Sequence, residues 1–323
     1  MNTNRVLGRS GIPVSAMGIG CWAIGGDSFG AVDDKESIRA IHRALELGVN
    51  LLDTANVYGG EHSEIVVGQA LQGRRAQAVV ATKFGFGPES EGIATGGKAC
   101  QQAIIQACEA SLTRMGTDYI DLYQLHIGEL SGPVVGDVIQ ALETLFADGK
   151  IRSYGWSTDT PENARQFAAL THCSAIQYQL NLFYENAEIA SICDEYGVAG
   201  LIRGPLAMGA LTGKYNQAAP LTDSDVRGRN IEWVPYFKDG SMTAEFAQKV
   251  DAAREILTTG GRTLAQGALA WLWARSASAI PIPGFKSVAQ VEENIDAMRF
   301  GPLEPSQMAE LTRLIPPLQW SQM

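Results

Sequence analysis

The stretch LDTANVYGGEHSE, residues 52–64, contains the end of a strand, a loop and the start of a helix. Apolar residues lead into Asp53, and Tyr58 follows five residues later. Gly59 and Gly60 interrupt the regular structure, and Ser63 is expected to cap the N-terminus of a new helix. The stretch therefore predicts one β/α unit, with an acid and a tyrosine close together where the strand ends.

The same alternation of strand and helix recurs along the chain. Eight predicted strands precede helices and end near residues 20, 53, 83, 126, 157, 179, 203 and 284. The segment RVLGRSGIPV before them predicts a β-hairpin. The predicted helices begin after Asp34 and then cover residues 63–72, 98–115, 134–147, 161–170, 185–195, 243–258, 263–275, 287–298 and 305–315.

Eight β/α units without a break in composition predict a (β/α)8 TIM barrel over residues 1–323, as a single domain. The N-terminal β-hairpin and extra C-terminal helices would be additions to it. A doubly wound open sheet is the alternative, but GIGCWAIGG, after the first strand, lacks the G-x-G-x-x-G spacing of that fold. Residues 204–242 are too long for an ordinary connection, so we expect a functional loop there.

The composition restricts the class of protein. Hydrophobic residues make up 46% of the chain and charged residues 19%, which indicates a folded core. A net charge of −10 without a Lys/Arg run argues against binding nucleic acid or an anionic membrane. No run of about 18 apolar residues and no signal peptide is evident, so we expect a cytoplasmic protein. Five cysteines without CxxC and four scattered histidines predict neither disulfides nor a metal site.

Four reactive side chains are predicted at the carboxyl ends of neighbouring strands, where such barrels carry their working residues. They are Asp53, Tyr58, Lys83 and His126. A nearby ammonium lowers the pKa of a phenol, and a buried lysine needs a carboxylate. We therefore expect Tyr58 to protonate a carbonyl oxygen, with Lys83 and Asp53 adjusting its acidity and His126 orienting the substrate. None of the four can carry a hydride, so a cofactor has to.

Seven segments resemble the signatures of the aldo-keto reductase superfamily, in the family's order, and point to a long-loop, bacterial-type member. They are LLDTANVYGGEHSEIVVGQAL, VVATKFG, DYIDLYQLH, IRSYGWS, IQYQLNLF, GALTGKY and IPIPGFKSVAQVEENI. The resemblance implies a (β/α)8 barrel that binds NADPH/NADP+ and reduces aldehydes or ketones. It also implies that Asp53, Tyr58, Lys83 and His126 are the catalytic residues, with Tyr58 as general acid.

The resemblance further implies a set of cofactor-binding residues. Ser157 and Gln177 match residues that hydrogen-bond the nicotinamide carboxamide. The segment from Leu206 to Lys214 matches the part that wraps the pyrophosphate, and residues 284–294 match the adenosine end. The full expected set is Trp22, Asp53, Ser157, Gln177, Arg203, Leu206, Gly209, Lys214, Gly284, Lys286, Gln290, Glu293 and Asn294.

Three of these positions carry a more specific expectation. Lys286 stands beside a predicted helix N-terminus, which favours a phosphate and thus NADPH over NADH. Arg203 occupies a position where the family often has an aromatic residue that stacks on the nicotinamide. Its guanidinium can stack there, bind a phosphate or an acidic substrate, or form a structural ion pair. Thr158 is shorter than the polar residue that is common in the family.

We expect a small-molecule carbonyl substrate, and a monomer or weak homo-oligomer. The aromatic residues Trp22, Phe84, Trp156 and Trp233 are expected to line a pocket for an apolar or aromatic carbonyl. An alternative function is an NADP(H)-binding regulatory subunit with slow or vestigial reductase activity, as some members of this superfamily are. The string GDSFG matches the G-x-S-x-G of hydrolases, but the predicted helix begins too far beyond its serine.

Overall fold

An antiparallel hairpin of β1 (Asn4–Val6) and β2 (Pro13–Ser15) begins the computed structural model, which describes residues 3–215 and 219–319. Leu7, Ile12 and Val14 of this hairpin are buried, and they pack in one apolar cluster with residues at the start of the barrel strands. The predicted N-terminal β-hairpin is confirmed, and it covers the amino-terminal end of the barrel.

Eight parallel strands form the main sheet, and a parallel bridge between Gly20 and Gly284 joins its two edges. The amide of Gly20 donates to the carbonyl of Pro283 at 2.9 Å across this seam. The predicted (β/α)8 barrel is therefore confirmed. Its strands are β3 (Gly18–Gly20), β4 (Leu51–Asp53), β5 (Val79–Phe84), β6 (Leu122–Leu125), β7 (Tyr154–Ser157), β8 (Cys173–Gln179), β10 (Ala199–Arg203) and β13 (Ala279–Pro281).

Short strand pairs lie outside the barrel. Strand β9 (Tyr184–Glu185) pairs with β14 (Leu318–Gln319), and β11 (Phe237–Lys238) pairs with β12 (Ser241–Met242) in the long loop. The hydroxyl of Tyr236 in this loop accepts hydrogen bonds from Asn181 at 2.9 Å and Gln179 at 3.2 Å. These bonds attach the second half of the loop to the carboxyl-terminal end of the barrel.

Helices surround the sheet, and the predicted ones are found within a few residues of their expected ends. Helix α3 is an addition that the sequence pattern did not indicate. Helix α11 packs on α8 and α9, which confirms the extra C-terminal helices. The helices are α1 (Asp34–Glu46), α2 (His62–Ala70), α3 (Ser90–Thr95), α4 (Gly97–Met115), α5 (Val134–Ala147), α6 (Pro161–Ala168), α7 (Ala187–Tyr196), α8 (Ala244–Thr258), α9 (Leu264–Arg275), α10 (Val288–Asp296) and α11 (Pro305–Leu314).

None of the helices in the described part of the chain is long and apolar enough to cross a bilayer. The division of the chain into one domain, residues 1–323, stays a prediction.

The start of α2 differs from the expectation. The helix begins at His62, and Glu61 before it has a left-handed φ of 80° without a side-chain cap. Ser63 instead donates from its hydroxyl to the carbonyl of Cys21 at 2.8 Å and bonds the Thr54 hydroxyl at 2.8 Å. The prediction of Ser63 as a cap is therefore wrong, because its hydroxyl joins α2 to the ends of two barrel strands.

The barrel interior is layered, because side chains alternate along each strand. Buried Leu51, Ala81, Leu122, Ala175 and Leu201 belong to one apolar layer that continues into the hairpin. Two residues further along each strand, the inward positions become polar. They are Asp53, Lys83, Gln124, Gln177 and Arg203. The top layer of the barrel is thus a polar layer that rests on an apolar one.

Two glycines let the loop that carries Tyr58 approach the loop after β3. A Cβ atom on Gly59 would lie 2.1 Å from the carbonyl oxygen of Gly25, and its φ is +63°. A Cβ atom on Gly25 would lie 2.7 Å from the amide nitrogen of Gly59. The two backbones are therefore in direct contact, and this contact sets the height of Tyr58 above the barrel.

Replacing Gly59 by Ala should destabilise the protein more than replacing Gly60 by Ala. Both residues have positive φ, but a Cβ atom on Gly60 meets nothing within 4 Å. Gly60→Ala should therefore cost only the backbone strain of about 1 kcal/mol, and Gly59→Ala should add a backbone clash of about 1–3 kcal/mol. Urea unfolding followed by circular dichroism measures both values, and equal losses would contradict the close contact.

Candidate active site

The ammonium of Lys83 is the centre of the polar layer. Its side chain is fully buried, with 0% exposure, at the end of β5. The nitrogen donates to Asp53 Oδ2 at 2.7 Å, to the carbonyl of Thr54 at 2.8 Å and to the hydroxyl of Tyr58 at 3.2 Å. Three acceptors thus match the three N–H groups, which replaces the lost hydration of the charge.

The pKa values of the pair follow from this burial and these contacts. Burial lowers the pKa of Lys83, but the charge of Asp53 and the contact with Tyr58 outweigh it and raise the pKa above its ordinary value. Burial raises the pKa of the Tyr58 hydroxyl, and the Lys83 ammonium opposes this only in part. The ammonium therefore acts in the expected direction, but the depth of burial, which the sequence did not indicate, leaves the pKa of Tyr58 above its ordinary value. Tyr58 is a protonated phenol at neutral pH.

His126 follows β6 and faces the same opening. Its amide nitrogen donates to the carbonyl of Phe84 at 2.7 Å. Burial, with the charges of Lys83 and Arg203, holds the pKa of the imidazole well below its usual value, so the ring is neutral at pH 7. Nδ1 is buried without a hydrogen-bond partner among the described residues. The ring lies 6.1 Å from that of Tyr58, edge to face.

The structure thus brings together the four predicted acid–base residues from separate segments. The second carboxylate oxygen of Asp53 accepts from Gln177 Nε2 at 2.8 Å and from Gln124 Nε2 at 3.2 Å. Gln124 was not predicted as a site residue. The signal that reveals it is the period of two along β6, which places Gln124 on the same inward face as Leu122.

Aromatic rings surround the opening. The ring of Trp22 lies 6.0 Å from Tyr58, 6.0 Å from Trp233 and 4.9 Å from Phe29. Trp233 is 50% exposed, and Phe86, 46% exposed, lies 5.1 Å from the His126 ring. These rings form an apolar rim beside Tyr58 and His126. Phe86 was missed because it lies in a short loop with no periodic pattern.

Two of the four predicted pocket residues are in the core instead. Phe84 has 0% exposure and stacks on Tyr123 at 4.6 Å. Trp156 has 0% exposure, packs on Phe167 and donates from its indole to the carbonyl of Ile127 at 2.6 Å. The prediction that these two rings line the pocket is wrong, because they lie on the strand face that is turned away from the barrel interior.

The predicted carboxamide-binding residues lie on adjacent strands of the polar layer. Ser157 and Gln177 are in register between β7 and β8, and both are buried. At the end of β10, Arg203 forms an ion pair with Asp159 and donates to Gln179 Oε1 at 3.0 Å. Thr158 donates from its hydroxyl to the carbonyl of Gly128 at 2.6 Å. Arg203 therefore has the structural ion pair that was one of its three possible roles.

Positive side chains gather near the start of the long loop. The Lys286 ammonium donates to the carbonyl of Phe29 at 2.7 Å. Burial lowers the pKa of Lys286, and the nearby charges of Arg227 and Lys214 lower it further, although Asp225 opposes them. Arg227 was not predicted. It forms an ion pair with Asp225 at 2.6 Å, and a Cβ atom on Gly209 would meet its guanidinium at 3.1 Å.

The predicted adenosine-end residues surround the N-terminus of α10. Gln290 Oε1 accepts from the amide of Lys286 at 2.7 Å, and Asn294, which is buried, donates to the carbonyl of Gly284 at 3.5 Å. Glu293 is exposed, and its carbonyl accepts from Gln266 at 3.1 Å. Leu206 is partly buried beside the barrel opening, and the Lys214 side chain is exposed. The positive charges of Lys286 and Lys214 near this helix N-terminus suit an anionic ligand.

The fold and this cluster define a (β/α)8-barrel enzyme with an acid–base site at the carboxyl ends of its strands. The model of the Aldo/keto reductase family matches residues 16–316. The chain therefore belongs to the aldo/keto reductase family, as its motifs predicted, and is an oxidoreductase. It is 31% identical over 291 residues to the aldo-keto reductase YhdN of Bacillus subtilis (strain 168), covering 88% of this chain and 86% of that protein.

Solved structures of the family have the same fold. The aldo-keto reductase AKR11C1 from Bacillus halodurans, in its holo form, is 29% identical with a TM-score of 0.78, over 99% of this chain and 98% of that one. An aldo-keto reductase from Klebsiella pneumoniae in complex with NADPH is 27% identical with a TM-score of 0.74, over 98% and 97% of the two chains.

Neutralising only the Asp53 carboxylate of the buried ion pair should destabilise the protein more than removing both charges. Asp53→Asn leaves the Lys83 ammonium without its counter-charge and should lower the free energy of unfolding by about 3–5 kcal/mol. The double variant Asp53→Asn/Lys83→Met should lose less stability than Asp53→Asn alone, because no unpaired charge stays buried. Urea unfolding of the single and double variants forms a double-mutant cycle. Additive losses would show that the two charges are not coupled.

Proposed function

We propose that this protein is an NADPH-dependent reductase of aldehydes and ketones, with Tyr58 as general acid. The observation that carries the proposal is the hydrogen bond from the buried Lys83 ammonium to the Tyr58 hydroxyl, at 3.2 Å, beside the neutral imidazole of His126. A protonated phenol next to a cation can give up its proton to a developing alkoxide, because the ammonium stabilises the phenolate that is left.

The chemistry that bound NADPH supplies is a hydride for the carbonyl carbon. Tyr58 gives its proton to the carbonyl oxygen, so that an alcohol forms. Lys83 holds the phenolate, and Asp53 keeps the Lys83 nitrogen in place and balances its charge. His126 donates an N–H to the carbonyl oxygen and orients it. The raised pKa of Tyr58 supports the role of proton donor rather than base at neutral pH.

The apolar rim supports a substrate with an apolar or aromatic group beside its carbonyl. Trp22, Phe86 and Trp233 give the opening a wall of rings, on which such a group can pack as water is excluded. Residues 204–242 carry Trp233 and begin next to Arg203. We infer that this loop covers the cofactor and that its opening limits product release.

The proposed cofactor site runs from the polar layer to α10. Ser157 and Gln177 would hold the carboxamide, and Leu206, Gly209 and Lys214 would contact the pyrophosphate. Residues 284–294 would hold the adenosine end, with Lys286 and the N-terminus of α10 at the 2′-phosphate. The NADPH in the similar Klebsiella pneumoniae structure supports this assignment. The cytoplasmic location, the single domain and a monomer or weak homo-oligomer stay predictions.

Tyr58→Phe should lower kcat by at least about 100-fold, because it removes the proton donor but keeps the ring. The measurement is the loss of NADPH absorbance with a panel of aldehydes, ketones and sugars. Cofactor affinity, measured by the quenching of tryptophan fluorescence, should change by less than about twofold, because the substitution removes a neutral hydroxyl and no charge. A near-normal kcat would refute the role of Tyr58. Tight NADPH binding by the wild type without turnover on any carbonyl would favour the regulatory-subunit alternative.

Lys286→Ala should weaken NADPH binding by about tenfold or more and leave NADH binding nearly unchanged, because only the 2′-phosphate needs the charge. Fluorescence titration with both cofactors gives the two dissociation constants. Lys98→Ala, at an exposed lysine of α4, is the matched control and should change neither. An unchanged ratio in Lys286→Ala would show that another group selects the phosphate.

A further inference from the structure

A closed hydrogen-bond triangle lies in the polar layer of the barrel and shares Asp53 with the acid–base cluster. Asp53 Oδ1 accepts from Gln177 Nε2 at 2.8 Å and from Gln124 Nε2 at 3.2 Å. The Gln177 amide nitrogen also donates to Gln124 Oε1 at 3.3 Å. The three residues are 3%, 1% and 0% exposed for Asp53, Gln177 and Gln124, so water cannot replace these bonds at low cost.

The triangle has one arrangement of donors and acceptors. A carboxylate that is paired with an ammonium only accepts hydrogen bonds, so both glutamines must turn their amide nitrogens toward Asp53. The Gln177 amide nitrogen has two hydrogens, and Asp53 and Gln124 take one each. The atom of Gln177 that is left for a ligand is its carbonyl oxygen, Oε1.

The opposite orientation of Gln177 is strongly disfavoured. A flip of the amide would place Oε1 2.8 Å from a carboxylate oxygen and 3.3 Å from Gln124 Oε1, in place of the nitrogen. Two favourable bonds would become two repulsions between oxygens in a buried layer. Asp53 causes one of these repulsions and Gln124 causes the other, so each of the two residues restrains the orientation of the Gln177 amide.

A short chain of hydrogen bonds connects Gln177 to Tyr58. One hydrogen bond joins the Tyr58 hydroxyl to Lys83, a second joins Lys83 to Asp53, and a third joins Asp53 to Gln177. Trp22, which follows β3, stacks on the Tyr58 ring at 6.0 Å. Gln177 lies in the polar layer, in register with Ser157 of β7.

We propose that Gln124 is a positioning residue that, with Asp53, fixes the Gln177 carbonyl toward the opening and makes the cofactor site select a pyridine carboxamide over the matching carboxylic acid. The inference rests on the proposed function as an NADPH-dependent reductase. A carboxamide offers an N–H to Gln177 Oε1. A carboxylate offers only oxygen and meets the Asp53 charge behind the amide, which disfavours it.

The test compares equilibrium binding of NADP+ with that of its nicotinic acid counterpart, by fluorescence titration. The wild type should bind the carboxamide at least about tenfold more tightly, the effect of one lost hydrogen bond and one oxygen–oxygen repulsion. Gln177→Met should bring the two affinities close together. The Met side chain of Gln124→Met has a similar shape but cannot donate and accepts only weakly, so Gln177 loses one restraint and the preference should fall by about threefold or more.

Tyr123→Phe is the matched control on the same strand. The Tyr123 hydroxyl is buried and has no hydrogen-bond partner among the described residues, and its ring packs on Phe84 outside the barrel interior. The variant removes one oxygen from β6 without touching the triangle, so the preference should stay that of the wild type. A general disturbance of β6 would instead lower the preference in both Tyr123→Phe and Gln124→Met, and this result would overturn the role of Gln124.

The remaining outcomes separate the inference from the proposed function. Equal wild-type affinities for the two ligands would overturn the inference, and this measurement needs no variant. A full preference in folded Gln124→Met, or in Gln124→Leu if the first variant does not fold, would also overturn it. Failure of the wild type to bind NADP+ at all would refute the proposed function itself. If the wild type reduces carbonyls but does not prefer the carboxamide to the carboxylic acid, the proposed function stands and only the inference is overturned.

Discussion

A lysine ammonium that is completely buried is the constraint on which the rest of the site depends. Lys83 has no water to solvate it, so Asp53, the carbonyl of Thr54 and the Tyr58 hydroxyl must all lie within its reach. That requirement fixes the ends of β4 and β5 and the height of the following loop. It also creates the reactive geometry, because a phenol that must hydrogen-bond a cation has its hydroxyl turned into the barrel opening. Charge compensation and the placement of the proposed general acid are therefore one arrangement.

The parallel barrel supplies this arrangement through the alternation of side chains. On five of the eight barrel strands, β4, β5, β6, β8 and β10, an inward position is apolar and packs in one cluster with the hairpin, and the inward position two residues later is polar. Because all the carboxyl ends lie on one rim, polar residues from distant parts of the chain share one layer. The polar layer lies on a dry apolar one, so its hydrogen bonds operate at low dielectric, where orientation matters most. The triangle of Asp53, Gln124 and Gln177 is a product of that layering.

Sequence reasoning was reliable where a pattern is local and less so where packing decides. Strand ends located Asp53, Lys83 and His126, since the end of an apolar run is visible in the chain. The pocket prediction was wrong for Phe84 and Trp156, because a strand residue faces either the barrel interior or the surrounding helices, and its residue type does not indicate which. The net rise in the pKa of Tyr58 was not predicted, because the neighbouring charge is evident from motifs, whereas the depth of burial is not. Gln124 was missed because a glutamine within a strand has no motif of its own.

The sequence alone determined the order of the β/α units, the class of fold and the candidate acid–base residues, because hydrophobic period and residue type are properties of short segments. Only the tertiary structure decided how those segments meet. The contact of Gly25 with Gly59 joins residues 34 positions apart, the hydrogen bonds that orient Gln177 span 53 and 124 positions, and the closure at Gly20 and Gly284 spans 264. Such contacts depend on where whole strands and loops lie in space, and no local pattern encodes that distance.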